Sequence, residues 1–337
     1  PVNEVRNYIL LLSLALIVTA VVISYVLANR LSRPIEELAG AAAQIAEGRP
    51  GVQVPVRATD EIGRLAKTFN EMSVSLEESE RLKADRAVMR REFEIAQGIQ
   101  LSLLPSGGRH GPYVFHGYMN TADEVGGDYY DCIELRSGKQ RYWWFVIGDV
   151  SGHGLAAGLT MLMAQTAIQT SLVLRPELRP DQAFAAVNRV LYKNIKKLDR
   201  YRYMTASFYR ADDKGNFVVS GLHLDTMIYR NRARKVAHVP TEGMWLGIEE
   251  DITRDLTLSR FRLSRGDTVL LYTDGLIEYR NPAGDMFGPD RLEDILREAG
   301  REEPAAIERR ILDELEEFVD GAVQKDDVSF AVVRRVG

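Results

Sequence analysis

An uncharged segment of 21 residues near the N-terminus constrains this chain more than any other feature of its sequence. It reads YILLLSLALIVTAVVISYVLA and runs from Tyr8 to Ala28. As a helix rising ~1.5 Å per residue it is about 30 Å long, which matches the hydrocarbon core of a bilayer. A signal peptide and a buried core helix are the alternatives, but the run is long for a signal peptide and no small-residue cleavage site follows it. We therefore predict a transmembrane helix within residues 1–29.

The charges that follow this segment predict its orientation. Arg30 and Arg33 come directly after it, and an excess of basic residues marks the cytoplasmic side of a membrane. We expect a single span in the cytoplasmic (inner) membrane, with everything downstream in the cytoplasm. Because the chain begins at Pro1 without a methionine, we also expect it to be part of a longer membrane receptor.

Length, charge and cysteine content exclude several classes of protein. A chain of 337 residues is long enough for about two domains of ordinary size. The net charge of -5 gives no reason to expect a nucleic-acid partner. The single cysteine, Cys132, excludes an internal disulfide framework and a cysteine-based zinc site.

Two short amphipathic helices joined by an extended connector follow the apolar segment. Pro34 suits the first turn of the first helix, residues 48–59 have the prolines and glycines of a connector, and the second helix begins near Asp60. Apolar residues recur every three or four positions in both helices, at Ile35, Leu38, Ala42 and Ile45 and then at Ile62, Leu65, Phe69, Met72 and Leu76. Seams this narrow are typical of helices that pack against other helices.

This arrangement resembles a HAMP signal-relay domain, which we assign to residues 30–80. The signatures Pro34-Ile35-Glu36 and Asp60-Glu61-Ile62-Gly63 support the resemblance. A simple coiled-coil stalk is the alternative. Either interpretation implies a parallel homodimer, because a narrow apolar seam needs a second helix to cover it.

The hydrophobic pattern shifts in phase beyond Leu76, which predicts a separate helical coiled-coil linker over residues 81–108. Its next seam positions are Leu82, Met89, Phe93 and Ala96. We expect the segment from about Glu77 to Gln100 to relay a signal by changing between two packings. The apolar stripe within residues 94–105 is expected to dock on the following domain and set Asp128 in place, with plain structural packing as the alternative. That stripe consists of Ile95, Ile99, Leu103 and Leu104.

An aspartate among glycines follows a strongly apolar strand in the second half of the chain. The segment GDVSGHG, from Gly148 to Gly154, closes the run YWWFVI. A turn at Ser137-Gly138 joins this strand to an earlier one that begins just after Asp128. Folding the hairpin about that turn places Asp128 across from Asp149, and two adjacent carboxylates repel each other unless a cation or proton intervenes.

Two further strands end or begin in the same way. The segment DTVLLYTDGL ends in Asp274-Gly275, and the segment QKDDVSFAVVRR places Asp326 and Asp327 just ahead of a strand. If these strands run antiparallel, Asp274 meets Asp326. Each aspartate taken singly is also explained as a turn residue, a helix cap or a solvated strand start. Four carboxylates at one edge favour Mg²⁺ or Mn²⁺ over zinc, since these ions prefer oxygen ligands.

Five motifs in order resemble the SpoIIE-type PPM phosphatases, bacterial relatives of the metal-dependent serine/threonine phosphatases. They are EIAQGIQLSLLP (94–105), GGDYYD (126–131), IGDVSGHGLAA (147–157), YTDGLIE (272–278) and KDDVS (325–329). The resemblance implies an α+β fold over residues 109–337, an αββα sandwich of two antiparallel sheets flanked by helices. It also implies two Mn²⁺ or Mg²⁺ ions at one edge.

The resemblance assigns roles to the aspartates residue by residue. It implies that Asp149 bridges both metals together with the main-chain carbonyl of Val150, and that Asp128 holds one metal. Asp274 and Asp326 are expected to hold the other, with Asp327 as a further candidate. His153 is a candidate general acid for the leaving serine oxygen, and a helix-capping role is its alternative.

One segment departs from the family pattern. Many members have Gly-His-Asn-Pro before the strand that precedes the third aspartate, whereas residues 220–226 read SGLHLDT here. The missing asparagine and proline leave the predicted fold and metals unaffected but weaken inferences about substrate. Asp225 is either an additional polar residue of the site or an ordinary turn aspartate.

The function that these features imply is a membrane-anchored, signal-regulated phosphoprotein phosphatase acting through metal-activated water. The resemblance implies phosphoserine or phosphothreonine on an STAS-type anti-sigma-factor antagonist as the substrate. A catalytically silent module of the same fold is the alternative, and the presence of all four aspartates argues against it. A sensor kinase is disfavoured, because the first histidine after the predicted HAMP helices is His110, beyond Pro105, and no glycine-rich ATP lid is present.

Overall fold

The computed structural model describes residues 2–57, 60–105, 107–198 and 202–337. They form two compact units, Pro1–Arg91 and Glu92–Gly337. Each unit is described by itself below.

The N-terminal unit is helical. Helix α1 (Val2–Leu27) leads through one π-helical turn (Ala28–Ser32) into α2 (Arg33–Ala46), and a connector then leads to α3 (Glu61–Ser102). Pro34 lies in the first turn of α2, where its missing N–H costs no helical hydrogen bond. The carboxylate of Asp60 accepts hydrogen bonds from the main-chain N–H groups of Ile62 and Gly63, and thereby caps the start of α3.

Within the described residues, two helical stretches are long and apolar enough to cross a membrane, Val5–Ala46 and Leu155–Leu174. The rest of the chain buries none of the most apolar window of the first stretch, whereas it buries half of the second. The second stretch is therefore explained as a core helix of a globular domain. The exposed apolar helix at the start of the first stretch, α1, precedes the predicted HAMP helices and suggests a single membrane span.

A small apolar cluster joins α2, the connector and α3. Its buried members are Ala41, Val54 and Ala66, and Leu38, Val52 and Phe69 pack against them. The Asn70 amide fixes the connector, because it donates to the carbonyl of Val54 and accepts from the N–H of the same residue, both at 2.8 Å. Leu65 and Met72 of the predicted seam are 53% exposed in the single chain, so they do not contribute to this cluster.

The C-terminal unit contains two antiparallel sheets. The six-stranded sheet has the order β1-β2-β11-β10-β7-β8, and the five-stranded sheet has the order β3-β4-β5-β6-β9. The strands are β1 (Gly108–His110), β2 (Tyr113–Asn120), β3 (Tyr129–Ser137), β4 (Gln140–Val150), β5 (Met204–Ala211), β6 (Asn216–Ser220), β7 (Thr226–Arg230), β8 (Lys235–Val239), β9 (Ser259–Arg262), β10 (Thr268–Tyr272) and β11 (Val328–Arg335).

Helices cover the outer faces of both sheets. Helices α4 (Leu155–Leu174) and α5 (Pro180–Lys197) pack on the five-stranded sheet, and α7 (Gly288–Ala299) and α8 (Pro304–Val319) pack on the six-stranded one. The short helix α6 (Asp274–Ile277) follows β10 directly. A third apolar cluster, which includes Phe115, Phe145 and Phe217, fills the space between the sheets. The predicted αββα sandwich is confirmed.

The two strand pairs expected from the sequence form as predicted. In the first hairpin, β3 and β4 turn at Gly138-Lys139 and pair Tyr129 with Gly148. In the second, β10 and β11 run antiparallel and pair Tyr272 with Phe330. Strand β4 is buried continuously from Trp143 to Gly148, because sheet and helix cover its two faces. Both pairings point their aspartate-bearing ends to the same edge.

The predicted docking stripe of the linker is only partly correct. Leu104 packs into the domain, but Ile95, Ile99 and Leu103 are 57%, 53% and 46% exposed. Gln100, in contrast, is completely buried, and it lies about 100° around the helix from its neighbour Ile99. The hydrophobic pattern predicted the wrong face of the helix, because the buried residue Gln100 contacts the main chain of Gly126 rather than an apolar side chain.

Candidate metal centre

Two aspartates lie side by side at the end of the first hairpin. Asp128 immediately precedes β3, and Asp149 is the next-to-last residue of β4. The pairing of Tyr129 with Gly148 sets them next to each other. Asp128 is only 1% exposed, and Asp149 is partly buried.

The second strand pair brings its aspartates to the same edge. Asp274 is the first residue of α6, directly after β10, while Asp326 and Asp327 precede β11. The two strand ends approach so closely that a β-carbon at Gly275 would lie 2.0 Å from the main-chain oxygen of Asp327. This close approach therefore requires glycine at position 275.

Asp327 connects the two pairs. Its side chain is buried, and its Oδ2 accepts a 2.6 Å hydrogen bond from the N–H of Gly127. Its Oδ1 accepts a second bond from the N–H of Ala122 at 2.8 Å. The carboxylate thus fixes the loop that ends in Asp128, so the structure gives Asp327 an anchoring role in that loop.

Main-chain groups crowd around the first pair. A β-carbon at Gly127 would lie 2.9 Å from the carbonyl oxygen of Val150 and 3.4 Å from Oδ1 of Asp149. The hydroxyl of Thr273 donates to Oδ2 of Asp128 at 2.8 Å, and its main-chain N–H donates to the carbonyl of Ser329. Gly127 is therefore the residue that admits the Val150 carbonyl to this edge.

The carboxylates repel one another strongly. Burial, followed by the charges of Asp149 and Asp327, raises the pKa of Asp128 well above its usual range. Burial together with the charges of Asp274, Asp326 and Asp327 raises the pKa of Asp149 to about 8. Burial raises the pKa of Asp326 as well. Such a cluster is stabilised by a proton or by a cation.

The donor set fits a hard divalent cation. It consists of carboxylate oxygens and one main-chain carbonyl, which Mg²⁺ and Mn²⁺ prefer, and it lacks thiolate. Among the residues that the structure describes, no three His, Cys, Asp or Glu side chains lie close enough together to hold a metal ion as they stand. The assignment of Asp128, Asp149, Val150, Asp274 and Asp326 as ligands, with Asp327 as a further candidate, therefore stays a prediction.

His153 lies beside this edge with a partner that the sequence did not reveal. Its Nδ1 is 2.5 Å from Oδ2 of Asp123, and its side chain is 71% exposed. The residue at the cap position of α4 is Gly154, and no side chain makes a capping hydrogen bond there. The capping alternatives for His153 and Asp149 are thus wrong.

Three glutamines fix the loop before Asp128 and the C-terminal end of α3. Gln97 and Gln100 belong to α3, and Gln165 belongs to α4. The side-chain amide of Gln100 donates to the carbonyl of Gly126 at 2.8 Å and accepts from its N–H at 3.1 Å. Gln97 donates to the hydroxyl of Thr121, and Gln165 of α4 donates to the carbonyl of Leu103. A polar residue flanked by apolar ones was the only sequence signal for Gln100.

Asp225 is exposed and immediately precedes β7. Burial raises the pKa of Tyr272 to about 12, and the charge of Asp225 contributes to that shift. The residue therefore lies near the end of β10.

Family models match both parts of the chain. The model described as "Stage II sporulation protein E (SpoIIE)" matches residues 139–336, which is more than half of the chain, and the model "HAMP domain" matches residues 26–78. The chain belongs to the SpoIIE family, with a SpoIIE-type PP2C phosphatase domain preceded by a HAMP domain. The predicted family resemblance is confirmed.

The chain is similar to curated bacterial proteins. "Phosphoserine phosphatase RsbU" of Bacillus subtilis is 26% identical over 267 residues, which are 78% of this chain and 75% of that protein. "Protein IcfG" of Synechocystis sp. is 25% identical over 344 residues, which are 93% of this chain and 52% of that protein. The chain thus spans about half the length of the second relative.

Solved structures share the fold. The "SiaA-PP2C domain of Pseudomonas aeruginosa" superposes with a TM-score of 0.64 at 20% identity, covering 74% of this chain and 98% of that one. The PP2C phosphatase domain of SpoIIE from Bacillus subtilis, solved with a fragment of its regulatory domain, gives 0.54 at 18% identity, covering 68% of this chain and 64% of that one.

The raised carboxyl pKa values predict that Mn²⁺ stabilises the protein more at pH 8 than at pH 6. The pKa of Asp149 is about 8 in the folded chain and ~4 when unfolded, so the metal-free fold loses stability as the pH rises through this window. At pH 6, Mn²⁺ must displace a proton, which lowers its apparent affinity. The measurement is thermal unfolding with and without Mn²⁺. At pH 8, with Mn²⁺ at about 100 times its Kd, we expect a Tm roughly 5–10 °C higher than that of the metal-free protein at the same pH. The same Mn²⁺ concentration should raise the Tm less at pH 6.

The control is Asp149→Asn, which replaces this carboxylate with a neutral amide of nearly the same size. This variant should lose most of the Mn²⁺-dependent rise in Tm at pH 8. An equal rise at both pH values, or an unchanged rise in the variant, would contradict the proposed cation site.

Proposed function

We propose that this chain is a membrane-anchored, signal-regulated protein phosphatase that uses two Mn²⁺ or Mg²⁺ ions. It hydrolyses phosphoserine or phosphothreonine on a protein partner. The observation that carries the proposal is the meeting of four strand-end aspartates from two sheets at one edge of the domain. The phosphoserine phosphatase named among the relatives supports the reaction class.

Each residue of the edge has a distinct task in this proposal. Asp149 and the Val150 carbonyl would hold both metals, Asp128 would bind one, and Asp274 and Asp326 would bind the other. Metals bound there would supply an activated water and would stabilise the negative charge on the phosphoryl group. Asp327 and Thr273 hold Asp128 in place through the hydrogen bonds described above.

His153 is proposed as the general acid for the leaving oxygen. Asp123 faces Nδ1 of the ring, so Nδ1 donates to that carboxylate and Nε2 is the atom that faces away from it. The Asp123 carboxylate thereby orients the ring, which leaves Nε2 as the nitrogen that can face a leaving oxygen. The exposure of the His153 side chain supports this role, because a protein-bound phosphoserine can reach an exposed side chain.

The substrate proposed is a phosphorylated STAS-type antagonist of an anti-sigma factor. A protein substrate fits an open edge, because Asp326 and His153 are both exposed at the surface. The relative named a phosphoserine phosphatase supports the phosphoserine preference. Neither argument distinguishes one STAS protein from another, so the partner is proposed as a class.

Anchoring and dimerisation complete the proposal. The exposed apolar helix α1 is proposed to span the cytoplasmic membrane, with the phosphatase domain in the cytoplasm. Apolar residues of α3 that the single chain leaves exposed are proposed to face a second copy in a parallel homodimer. They are Leu65, Met72, Leu82, Met89, Ile95 and Ile99.

Asp149→Asn should abolish phosphatase activity while the protein stays folded. The full chain in detergent is incubated with para-nitrophenyl phosphate and with a phosphoserine-bearing STAS protein, with and without Mn²⁺. We expect hydrolysis that requires Mn²⁺ and falls at least 100-fold in the variant, since the bridging ligand holds both ions.

Asp290→Asn is the matched control, because this aspartate lies in the first turn of α7. It should retain wild-type activity. Mn²⁺-independent hydrolysis, or an active Asp149→Asn variant, would reject the mechanism. Mn²⁺ binding without turnover of either substrate would favour the catalytically silent alternative.

Gln100 is predicted to couple helix α3 to the catalytic loop. Replacing it with Met keeps the size but removes both hydrogen bonds to Gly126. The buried N–H and carbonyl of Gly126 then lose these partners, at a cost of ~1–3 kcal/mol for each group left unsatisfied. We expect roughly tenfold lower activity and faster amide hydrogen exchange in residues 121–128, measured by mass spectrometry.

The matched control is Gln140→Met, at the far end of the β3–β4 hairpin, where the side chain is exposed. It should change neither activity nor exchange in the loop. Unchanged exchange in Gln100→Met would exclude the coupling role, whatever the effect on activity.

A further inference from the structure

A histidine outside the catalytic edge lies between the two sheets. Residues 221–225 cross from β6 of the five-stranded sheet to β7 of the six-stranded sheet. His223 is in the middle of this crossing and is partly buried. It belongs to the segment that departs from the family pattern, and the mechanism above assigns it no task.

The hydrogen bonds of His223 define its tautomer. Its Nε2 lies 3.0 Å from the carbonyl oxygen of Tyr272, which only accepts, so Nε2 carries a proton. Burial of the ring lowers its pKa to about 4, so the ring is neutral near pH 7 and Nδ1 has a free lone pair. The hydroxyl of Thr205, at 2.8 Å, therefore donates to Nδ1.

Each partner of the ring is close to a different pair of aspartates. Thr205 of β5 pairs directly with Asp149 of β4, and its hydroxyl lies 3.5 Å from the main-chain oxygen of Asp149. Tyr272 ends β10, two residues before Asp274. One imidazole thus bridges the strand beside Asp149 and the strand that delivers Asp274.

The main chain of His223 is fixed as firmly as its ring. Its N–H donates to the hydroxyl of Thr241 at 3.0 Å, and the same hydroxyl donates to its carbonyl. Thr241 is itself buried. Because both the ring and its backbone are held, the distance between the carbonyl of Tyr272 and the hydroxyl of Thr205 is set by a rigid group.

We infer that His223 is a positioning residue that sets the separation between the Asp149 side and the Asp274 side of the metal centre. This inference rests on the proposed function, since it concerns the same site. The imidazole suits the task because its two nitrogens point in opposite directions on a planar ring. A flexible side chain of similar length has no such fixed span.

The inference predicts a change in metal requirement rather than a simple loss of stability. In the full chain in detergent, His223→Ala should raise the Mn²⁺ concentration for half-maximal activity at least tenfold. Calorimetry should give a matching rise in the Kd for Mn²⁺. Excess Mn²⁺ should restore most of kcat, and KM for the phosphoprotein should change less than twofold.

Thr205→Val tests the other end of the bridge with a variant of nearly the same shape. It should produce a shift in the same direction, and its combination with His223→Ala should add little, because both remove one bridge. His223→Gln retains a donor for the Tyr272 carbonyl and should restore part of the metal affinity. His238→Gln, a histidine paired with Glu293 on the surface, is the matched control and should leave both quantities unchanged.

The outcomes separate this inference from the proposed function. A wild-type chain that neither binds Mn²⁺ nor hydrolyses phosphate would reject the function itself. A wild-type chain that does both, with His223→Ala and Thr205→Val lowering the Tm but not the Mn²⁺ affinity, would overturn the positioning role. Additive effects of the two substitutions would also overturn it.

Discussion

The repulsion among carboxylates at one edge of the sandwich is the constraint on which the rest of the structure depends. Five aspartates from two strand pairs meet there, and burial raises the pKa of Asp128 and Asp149 because charge is costly in that environment. The fold holds them together regardless, through strand register, through glycines that let backbones approach, and through Asp327, which ties one strand pair to the loop of the other. A cation bound at this edge would therefore offset an unfavourable feature of the metal-free protein.

Much of this arrangement follows from the sequence because its determinants are local. The strand-turn-strand pattern with Gly138 at the turn fixes the register that sets Asp128 beside Asp149. The antiparallel pairing of β10 with β11 was predicted from two apolar strands that end and begin in aspartate. The small HAMP cluster was only partly predictable, since the seam pattern did not distinguish Phe69, which packs within the chain, from Leu65, which does not.

The contacts that the sequence did not predict join residues far apart in the chain through polar groups. Gln100 binds the main chain of Gly126, His153 pairs with Asp123, and His223 bridges Thr205 and Tyr272. Periodicity reports which residues avoid water, and it says nothing about which buried amide or imidazole finds a partner. For the same reason it placed Ile95 and Ile99 against the domain, whereas a glutamine occupies that position.

The contact between Gln100 and Gly126 also has a mechanical consequence. A single hydrogen bond acts as a tether, which resists being pulled along one line but allows the joined groups to swivel about it. The side-chain amide of Gln100 makes two hydrogen bonds to Gly126, one donated and one accepted. Two bonds side by side resist twisting as well as extension. Because both bonds are made to main-chain groups of Gly126, a rotation of this end of α3 about its own axis would turn the backbone of the loop as well as displace it.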